Sequence, residues 1–443
     1  MKERYIPMEN RRGNLCRYIL PTVASSCCNF LYVVVDGIFV GQGVGVDALG
    51  AVNIAMPFTL ITTALAMLMG IGGVTVTAIR LGRGDEKGAN DAFLHASAIS
   101  VAIGVLLMLA GMIFSRPVAA ISGANGTFLE LTATYIFYYS AVSLPFVCSI
   151  LLQGFVRNDG SPGLVSVAVI TGAVTNIFLD WLFVFPLKLG IAGAAVASGL
   201  GQVSSLLILL LHFVRRKGVL RLRPFHLSPF LFWKIFKRGL PEMISQFGTP
   251  VTTVWMNHVL IRQLGDLAVS AFSVLAYLTS FSMGIFFGVS EGLQPLIGQS
   301  YGKKDPTALR WYFRAGLLIN LAGSVLVFVL FLLWGGPICS LFNSDPRLVK
   351  TATDALPKFG WAFIVISQNL IISAYLYSTK RTLQAIIAAI CRCLVLNTLT
   401  ILLLPLLFGG GIIWQTVGIA ETLSLLVYWV LLKTSERKGI VFR

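Results

Sequence analysis

Charged residues are scarce in this sequence of 443 residues. Asp, Glu, Lys and Arg together make up 12% of it, whereas hydrophobic residues make up 56%. A soluble domain carries about 25% charged residues. The shortage therefore excludes an ordinary soluble protein and indicates an integral membrane protein, which we predict to be all-α.

Acidic residues are the scarcer of the two charge types. The 18 Asp and Glu face 34 Lys and Arg, which gives a formal net charge of +16. Most of the basic residues lie in short loops between apolar runs, so we predict no nucleic-acid partner. The stretch 214–238 holds eight of them and no acid. We interpret it as a cytoplasmic linker held near anionic lipid headgroups.

Several catalytic and cofactor motifs are also missing. The sequence has no GxxxxGK[ST] phosphate-binding loop, no HExxH and no paired cysteine clusters. The chain therefore does not use ATP through its own residues, and we predict that it is not an enzyme and has no cofactor. The seven cysteines lie mostly in apolar runs, which argues against a disulfide framework.

What the sequence has in quantity is long apolar runs. Crossing a bilayer core of ~30 Å takes about 20 residues, and about twelve runs reach that length. Lys and Arg concentrate in the loops on the side of both termini, so we predict that both termini are cytoplasmic in a plasma-membrane protein. The runs cover residues 15–40, 50–81, 91–114, 128–154, 163–186, 189–213, 239–263, 268–299, 312–334, 352–378, 383–407 and 412–433.

The two halves of the chain repeat each other. A shift of 220 residues places Pro21 on Pro241, Gly45 on Gly265 and Asp85 on Asp305. Six spans per half make this a parallel repeat, which is typical of transporters. We predict a six-helix bundle over 1–213, the basic linker 214–238 and a second bundle over 239–443.

Two aspartates interrupt the apolar runs of the first half. Asp36 lies in LYVVVDGIFVG and Asp180 in VTNIFLDWLFVFP, while the matching positions near Met256 and Ile401 carry no acid. A carboxylate inside a span is costly and is a functional candidate by default, the alternative being a helix cap near the interface. Both lie near the outer ends of outward-running helices, so we expect them at similar depth.

Further oxygen atoms are expected at the same level. Asn176 precedes Asp180 by one turn on the same helix face, and Ser198 in GIAGAAVASG can add a hydroxyl. Two carboxylates and an amide form either a proton-sharing pair or an oxygen cage for a small cation.

Four motifs together resemble a known family. They are VDGIFVG, the loop RLGRGDEKG at 80–88, NIFLD followed by GIAGAAVAS, and GLQPLIGQSYGKKD. In order and spacing they are similar to the multidrug and toxic compound extrusion (MATE) family, most of all to its DinF branch and the MepA-like bacterial multidrug exporters. The resemblance implies twelve transmembrane helices in two pseudo-symmetric six-helix bundles around a central cavity. It also implies a secondary transporter that exports organic cations or drugs in exchange for protons or sodium.

The resemblance assigns roles to individual residues. Asp36, Asn176 and Asp180 match the family's cation-coupling site, where sodium is a possible occupant, and Ser198 stands where some members carry threonine. Pro21 matches the proline at which the first helix is thought to bend. The chain departs from the NorM branch, since the stretch GWAFIVISQNLIISAYLYS (360–378) of its tenth helix has no acid, and this argues against a sodium site in the second half.

Other residues are weaker candidates for contact with substrate or for gating. Glu291, with Gln294 one turn on, either meets a drug cation or is a hydrated carboxylate at the inner mouth. The aromatic rings of Tyr32, Tyr139 and Tyr277 either line a cavity for flat cations or serve packing.

An alternative function is a flippase for lipid-linked precursors in the same superfamily. Such a protein would need basic residues to hold pyrophosphate, and Arg392 is the main basic residue within a helix. We therefore favour the exporter, with organic cations or drugs and membrane lipids as partners and with the monomer as the expected state. We assign Glu242 a structural role at a helix start, and leave Glu421 unassigned.

Overall fold

The computed structural model describes residues 10–342 and 345–437. Within those ranges the regular structure is entirely helical. The chain forms two compact units, Met1–Met243 and Ile244–Arg443. Each unit has its own core of buried aliphatic and aromatic side chains.

Unit 1 consists of eight helices and most of a ninth. The second of them, at 37 residues, is longer than a bilayer span requires. In chain order they are α1 (Arg11–Gly43), α2 (Val46–Gly82), α3 (Glu86–Ile113), α4 (Ser115–Ile121), α5 (Thr127–Ala141), α6 (Ser143–Asn158), α7 (Pro162–Val184), α8 (Gly190–Val214) and α9 (Pro229–Gln246).

Unit 2 follows the same plan, and again its second span is long, at 38 residues. A π-helical segment, Cys391–Leu396, joins two of its helices, and a single 3₁₀ turn precedes the last. The helices are α10 (Gly248–Gln263), α11 (Asp266–Lys303), α12 (Pro306–Ser340), α13 (Pro346–Gly360), α14 (Ala362–Ser378), α15 (Thr382–Ile390), α16 (Asn397–Phe408) and α17 (Ile413–Arg437).

Matching residues of the repeat have the same local conformation. Gly45 and Gly265 precede α2 and α11 with φ of 121° and 81°, a region that strongly favours glycine. Asp85 and Asp305 both cap the next helix, accepting hydrogen bonds from the backbone N–H groups of its first turn. The sequence repeat is therefore a structural repeat, because the same backbone requirements recur at the same spacing.

The fourth span of each half is broken. The pair α5 and α6 bends by 52°, and the pair α13 and α14 by 43°. Nine single helices of the described residues are long and apolar enough to cross a membrane, and counting each bent pair as one span gives eleven. The predicted run 239–263 differs, since it is divided between the end of α9 and the 16-residue α10, neither of which reaches that length and composition alone.

The basic stretch 214–238 differs from the predicted linker. Its end already belongs to α9, and the part that precedes α9 lies within unit 1 and is hydrogen-bonded to other segments of that unit. Asp159 accepts from the backbone N–H groups of Val219 and Leu220, at 2.8 and 3.1 Å, and lies 2.9 Å from Nε2 of the buried His212. These contacts give the stretch a defined path, which its composition alone does not predict.

Candidate functional site

The two intramembrane aspartates meet in unit 1. The carboxyl groups of Asp36 on α1 and Asp180 on α7 lie within hydrogen-bond reach of each other. Asp180 is fully buried and Asp36 is half-buried. Within residues 10–342 and 345–437, neither carboxyl forms an ion pair with Lys or Arg. The expected pairing at one depth is thus present in the structure.

Close packing at the C-terminal ends of α1 and α7 determines how the two helices align along their length. A Cβ atom on Gly43 would lie 2.1 Å from Val184 Cγ1, so a side chain at position 43 would displace the buried Val184. The rings of Phe39 and Phe185 stack edge to face with centroids 5.7 Å apart. Asp36 and Asp180 precede these contacts by one to two helical turns. The contacts therefore hold the two carboxyl groups at the same height along α1 and α7.

A pair of glycines brings α8 against α7. A Cβ on Gly172 would lie 2.9 Å from the Gly201 carbonyl oxygen, and one on Gly201 would lie 2.8 Å from the Gly172 carbonyl oxygen. Small residues permit this approach. As a result Asn176 Nδ2 donates to Ser198 Oγ at 3.3 Å, beside the aspartates.

Two of the predicted aromatic candidates surround the acidic pair, together with one that the sequence analysis missed. Tyr32 lies one turn before Asp36 and beside Gln202. Tyr139 stacks on Tyr135, with ring centroids 5.9 Å apart. Tyr135 lies near the two aspartates, and Tyr139 lies near Tyr32. Tyr135 lies one turn before Tyr139 on the same helix, a spacing that could have identified it.

A narrow cavity runs alongside the site. It has a volume of about 10 Å³, which is room for about one water molecule. Polar side chains from α1, α6, α7 and α8 line it: Asn29, Tyr32, Gln153, Asn176, Ser198, Gln202 and Ser205. Such a lining can solvate a proton or a small cation next to the carboxyl groups.

The oxygen atoms of the site suit a proton or a hard cation. Asp36 Oδ1, Asn176 Oδ1 and both carboxylate oxygens of Asp180 are buried and receive no hydrogen bond in the described part of the chain. Adjacent carboxylates repel each other unless a proton or cation lies between them. Oxygen-only donors fit sodium, and a group of three or more His, Cys, Asp or Glu that would hold a transition metal is absent among the described residues.

Pro21 lies within α1, which continues as helix on both sides of it. Its carbonyl oxygen accepts a hydrogen bond from Ser166 Oγ of α7. Proline removes one backbone hydrogen bond from its helix. The position therefore combines a weakened point in α1 with a contact to the helix that carries Asp180.

The remaining candidates lie in unit 2. Gln294 is buried and donates from Nε2 to the Tyr377 hydroxyl at 2.7 Å, which joins α11 to α14. Glu291 is partly exposed on α11. Tyr277 is 51% exposed and stacks on Phe342. The structure therefore does not bring these three together with the aspartates in one unit.

Unit 2 also contains a buried ion pair that sequence analysis did not recognise. Arg392 Nε lies 3.0 and 2.8 Å from the two carboxylate oxygens of Glu421, and Asn369 Nδ2 donates to Glu421 Oε2 at 2.7 Å. Arg392 belongs to the π-helical segment, where the local widening of the helix redirects side chains. The pair accounts for Glu421, which had no predicted role.

Comparisons with known proteins agree with this architecture. The MatE family model matches residues 21–182 and 241–403, so its two copies follow the sequence repeat. Multidrug export protein MepA of Staphylococcus saprophyticus is 23% identical over 93% of this chain and 91% of its own length. MepA of Staphylococcus aureus strain MRSA252 is 24% identical over the same shares.

A solved structure is similar over nearly the whole chain. It is an outward-facing conformation of a multidrug resistance MATE family transporter of the MOP superfamily. It superposes with a TM-score of 0.90 at 24% identity and covers 97% of each chain. This confirms the predicted all-α multi-pass membrane fold. Because the family model covers most of the sequence in two consecutive copies, this chain belongs to the MatE family.

Proposed function

We propose that this chain is a secondary active transporter that exports organic cations or drugs across the cytoplasmic membrane in exchange for protons or sodium. Membership of the MatE family and similarity to proteins named for multidrug export support the substrate class. The observation that carries the proposal is the pair of adjacent buried carboxyl groups, Asp36 and Asp180, without a basic partner.

Coupling follows from charge at that site. In the outward-facing state the pair takes up a proton or a sodium ion from the medium, and this lowers its negative charge. The loaded site favours a different position of α1, for which Pro21 is the weak point. A drug that binds better to the unloaded state is then released when the ion enters, since the two ligands favour different conformations.

The flippase alternative has less support. Holding a pyrophosphate inside the membrane would require a free basic side chain within the apolar spans, yet Arg392, the main candidate there, is neutralised by Glu421. The proposed reaction is transport without covalent chemistry, so the protein is not an enzyme and its coupling ion is its only cofactor. It acts as a monomer on small organic cations.

We expect cells that lack their own drug pumps to accumulate less ethidium when they express this protein. A protonophore should return accumulation to the level of cells without it if protons drive export, and removal of the sodium gradient should do so if sodium drives it. Fluorescence of intact cells measures the effect, with Asp47→Asn as a control because Asp47 is an exposed acid outside the site. Export that continues after both gradients are collapsed would exclude secondary transport.

We also expect both termini to lie in the cytoplasm, because the basic loops lie on their side of the membrane. A cytoplasm-active reporter fused after Lys217 or at the C-terminus should be active, and one fused after Gly43 should be inactive. Protein levels of the three fusions serve as the control. An active Gly43 fusion would reverse the orientation.

A further inference from the structure

A second cavity of unit 1 lies at the opposite end of α7 from the aspartates. It has a volume of about 370 Å³, within the range of ligand-binding pockets. Its walls are the N-terminal part of α1, the start of α7 and the end of α8. Its lining consists of Arg17, Pro21, Gly160, Ser161, Pro162, Gly163, Leu164, His212, Arg215 and Lys217.

The charge of this cavity is of one sign. Arg17, Arg215 and Lys217 contribute three cations, and the lining contains no carboxylate. Arg17 is held in place by a 2.8 Å hydrogen bond from its guanidinium to the Gly160 carbonyl oxygen. His212 is fully buried, and its Nδ1 has no hydrogen-bond partner in the described ranges. The Asp159 carboxylate lies next to Gly160 but is bound to His212 Nε2 and to the backbone N–H groups of Val219 and Leu220. Arg17, Arg215 and Lys217 therefore supply positive charge to the cavity and form no ion pair in the described part of the chain.

The first turn of α7 adds to this potential. Helix N-termini carry partial positive charge and free N–H groups, and α7 begins here with Pro162 at its first position. A Cβ atom on Gly163 would meet nothing within 4 Å. The backbone of the first turn is thus open to a ligand in the cavity.

Exposed apolar side chains lie close to the cavity in the chain. Leu20 on α1 and Val214 at the end of α8 are 66% and 76% exposed, and both belong to helices that can cross the membrane. Apolar side chains exposed beside a basic cavity are typical of the level where acyl chains meet headgroups. A phosphate held in the cavity can therefore keep its acyl chains in the bilayer.

We propose that this cavity binds a phosphate group, supplied by the headgroup of an anionic phospholipid on the membrane face that carries both termini. Arg17 and Arg215 are suited to bind phosphate oxygens with two N–H groups each, and Lys217 supplies a further charge. The bound phosphate joins α1 next to Pro21 to α7 and α8. Occupancy of the cavity then stabilises the position of α1 that the structure shows.

Lipid binding to the full-length protein tests this site without any transport measurement. Native mass spectrometry from micelles doped with phosphatidylglycerol should show one retained lipid, and micelles doped with phosphatidylethanolamine should show none. The triple variant Arg17→Gln, Arg215→Gln, Lys217→Gln should bind phosphatidylglycerol at least tenfold more weakly, since each cation near anionic lipid contributes about fivefold. A control triple variant, Arg12→Gln, Lys87→Gln, Lys237→Gln, removes the same charge outside the cavity and should retain the lipid.

A matched pair of variants shows whether added charge, and not misfolding, causes a loss of lipid binding. Gly163→Glu places a carboxylate at the cavity, whereas Gly163→Gln places a neutral group of the same size. The glutamate suits a helix N-terminus, so both proteins should fold, and only Gly163→Glu should lose the lipid. Equal retention by the two variants, or equal loss in the two triple variants, would overturn the site.

Inorganic phosphate distinguishes the two sources of the group. In undoped micelles, inorganic phosphate at about 10 mM, far above the lipid dose, should not raise the melting temperature of the protein. Phosphatidylglycerol should raise it. Stabilisation by free phosphate alone would overturn the lipid as the ligand. Stabilisation by neither would overturn the phosphate site.

Discussion

Replacing either aspartate of the acidic pair should abolish efflux. In Asp36→Asn and Asp180→Asn the site keeps its shape but loses one carboxylate, so it no longer repels or binds a proton or cation as a pair. The drug and the coupling ion then no longer compete through charge. Ethidium accumulation should rise to the level of cells without the protein, while the amount in the membrane stays the same.

The variants at this site should behave as one unit. Because both carboxyl groups hold the same proton or cation, the double variant should be no worse than either single one. Asn176→Ala removes a buried amide oxygen without changing the charge, and should weaken the dependence on the ion rather than abolish export. Glu242 lies inside α9, not at the helix start that the sequence suggested, and Glu242→Gln should affect mainly stability. If either aspartate variant exports at the wild-type rate with the same ion dependence, the pair is structural.

Breaking the buried ion pair of unit 2 should strongly lower the free energy of unfolding. Arg392→Met leaves the Glu421 carboxylate buried, and among the described residues the Asn369 amide is then its remaining side-chain partner. Removing one partner of a buried pair destabilises a protein by roughly 3–5 kcal/mol. Unfolding of the purified protein in detergent, followed by intrinsic fluorescence against denaturant, measures the loss.

Two further variants distinguish loss of the ion pair from a general effect of replacing arginine by methionine. Arg392→Met combined with Glu421→Leu removes both charges and should recover much of the stability, because no unpaired charge is left. Arg310→Met makes the same substitution at an exposed position of α12 and should change stability little. An Arg392→Met protein as stable as Arg310→Met would show that the pair contributes nothing measurable.

Much of the fold was predictable because it depends on local requirements. Apolar runs long enough for a bilayer predicted the spans, and glycine and aspartate at matching positions predicted the repeat that Gly45, Gly265, Asp85 and Asp305 form. The level of Asp36 and Asp180 was also predictable. Residue number along a helix of constant rise determines depth in the membrane.

The partners of a side chain across helices were not predictable in this way. Sequence placed Arg392 and Glu421 in different spans, and the π-helical segment decides that they meet. Likewise the run 239–263 reads as one span, although the chain divides it between two helices. Hydropathy measures how apolar a run is, and does not measure where its backbone bends.

What the sequence by itself determined is therefore the membrane class, the repeat and the presence of two acids in one half. The tertiary structure alone decided that Gly43 and Gly172 let α1, α7 and α8 approach closely enough to bring the acids and Asn176 together. It also decided that Arg17, Arg215 and Lys217 surround one cavity. The physical reason is that periodicity sets a residue's depth and helix face, whereas the close packing of side chains sets which face meets which neighbour.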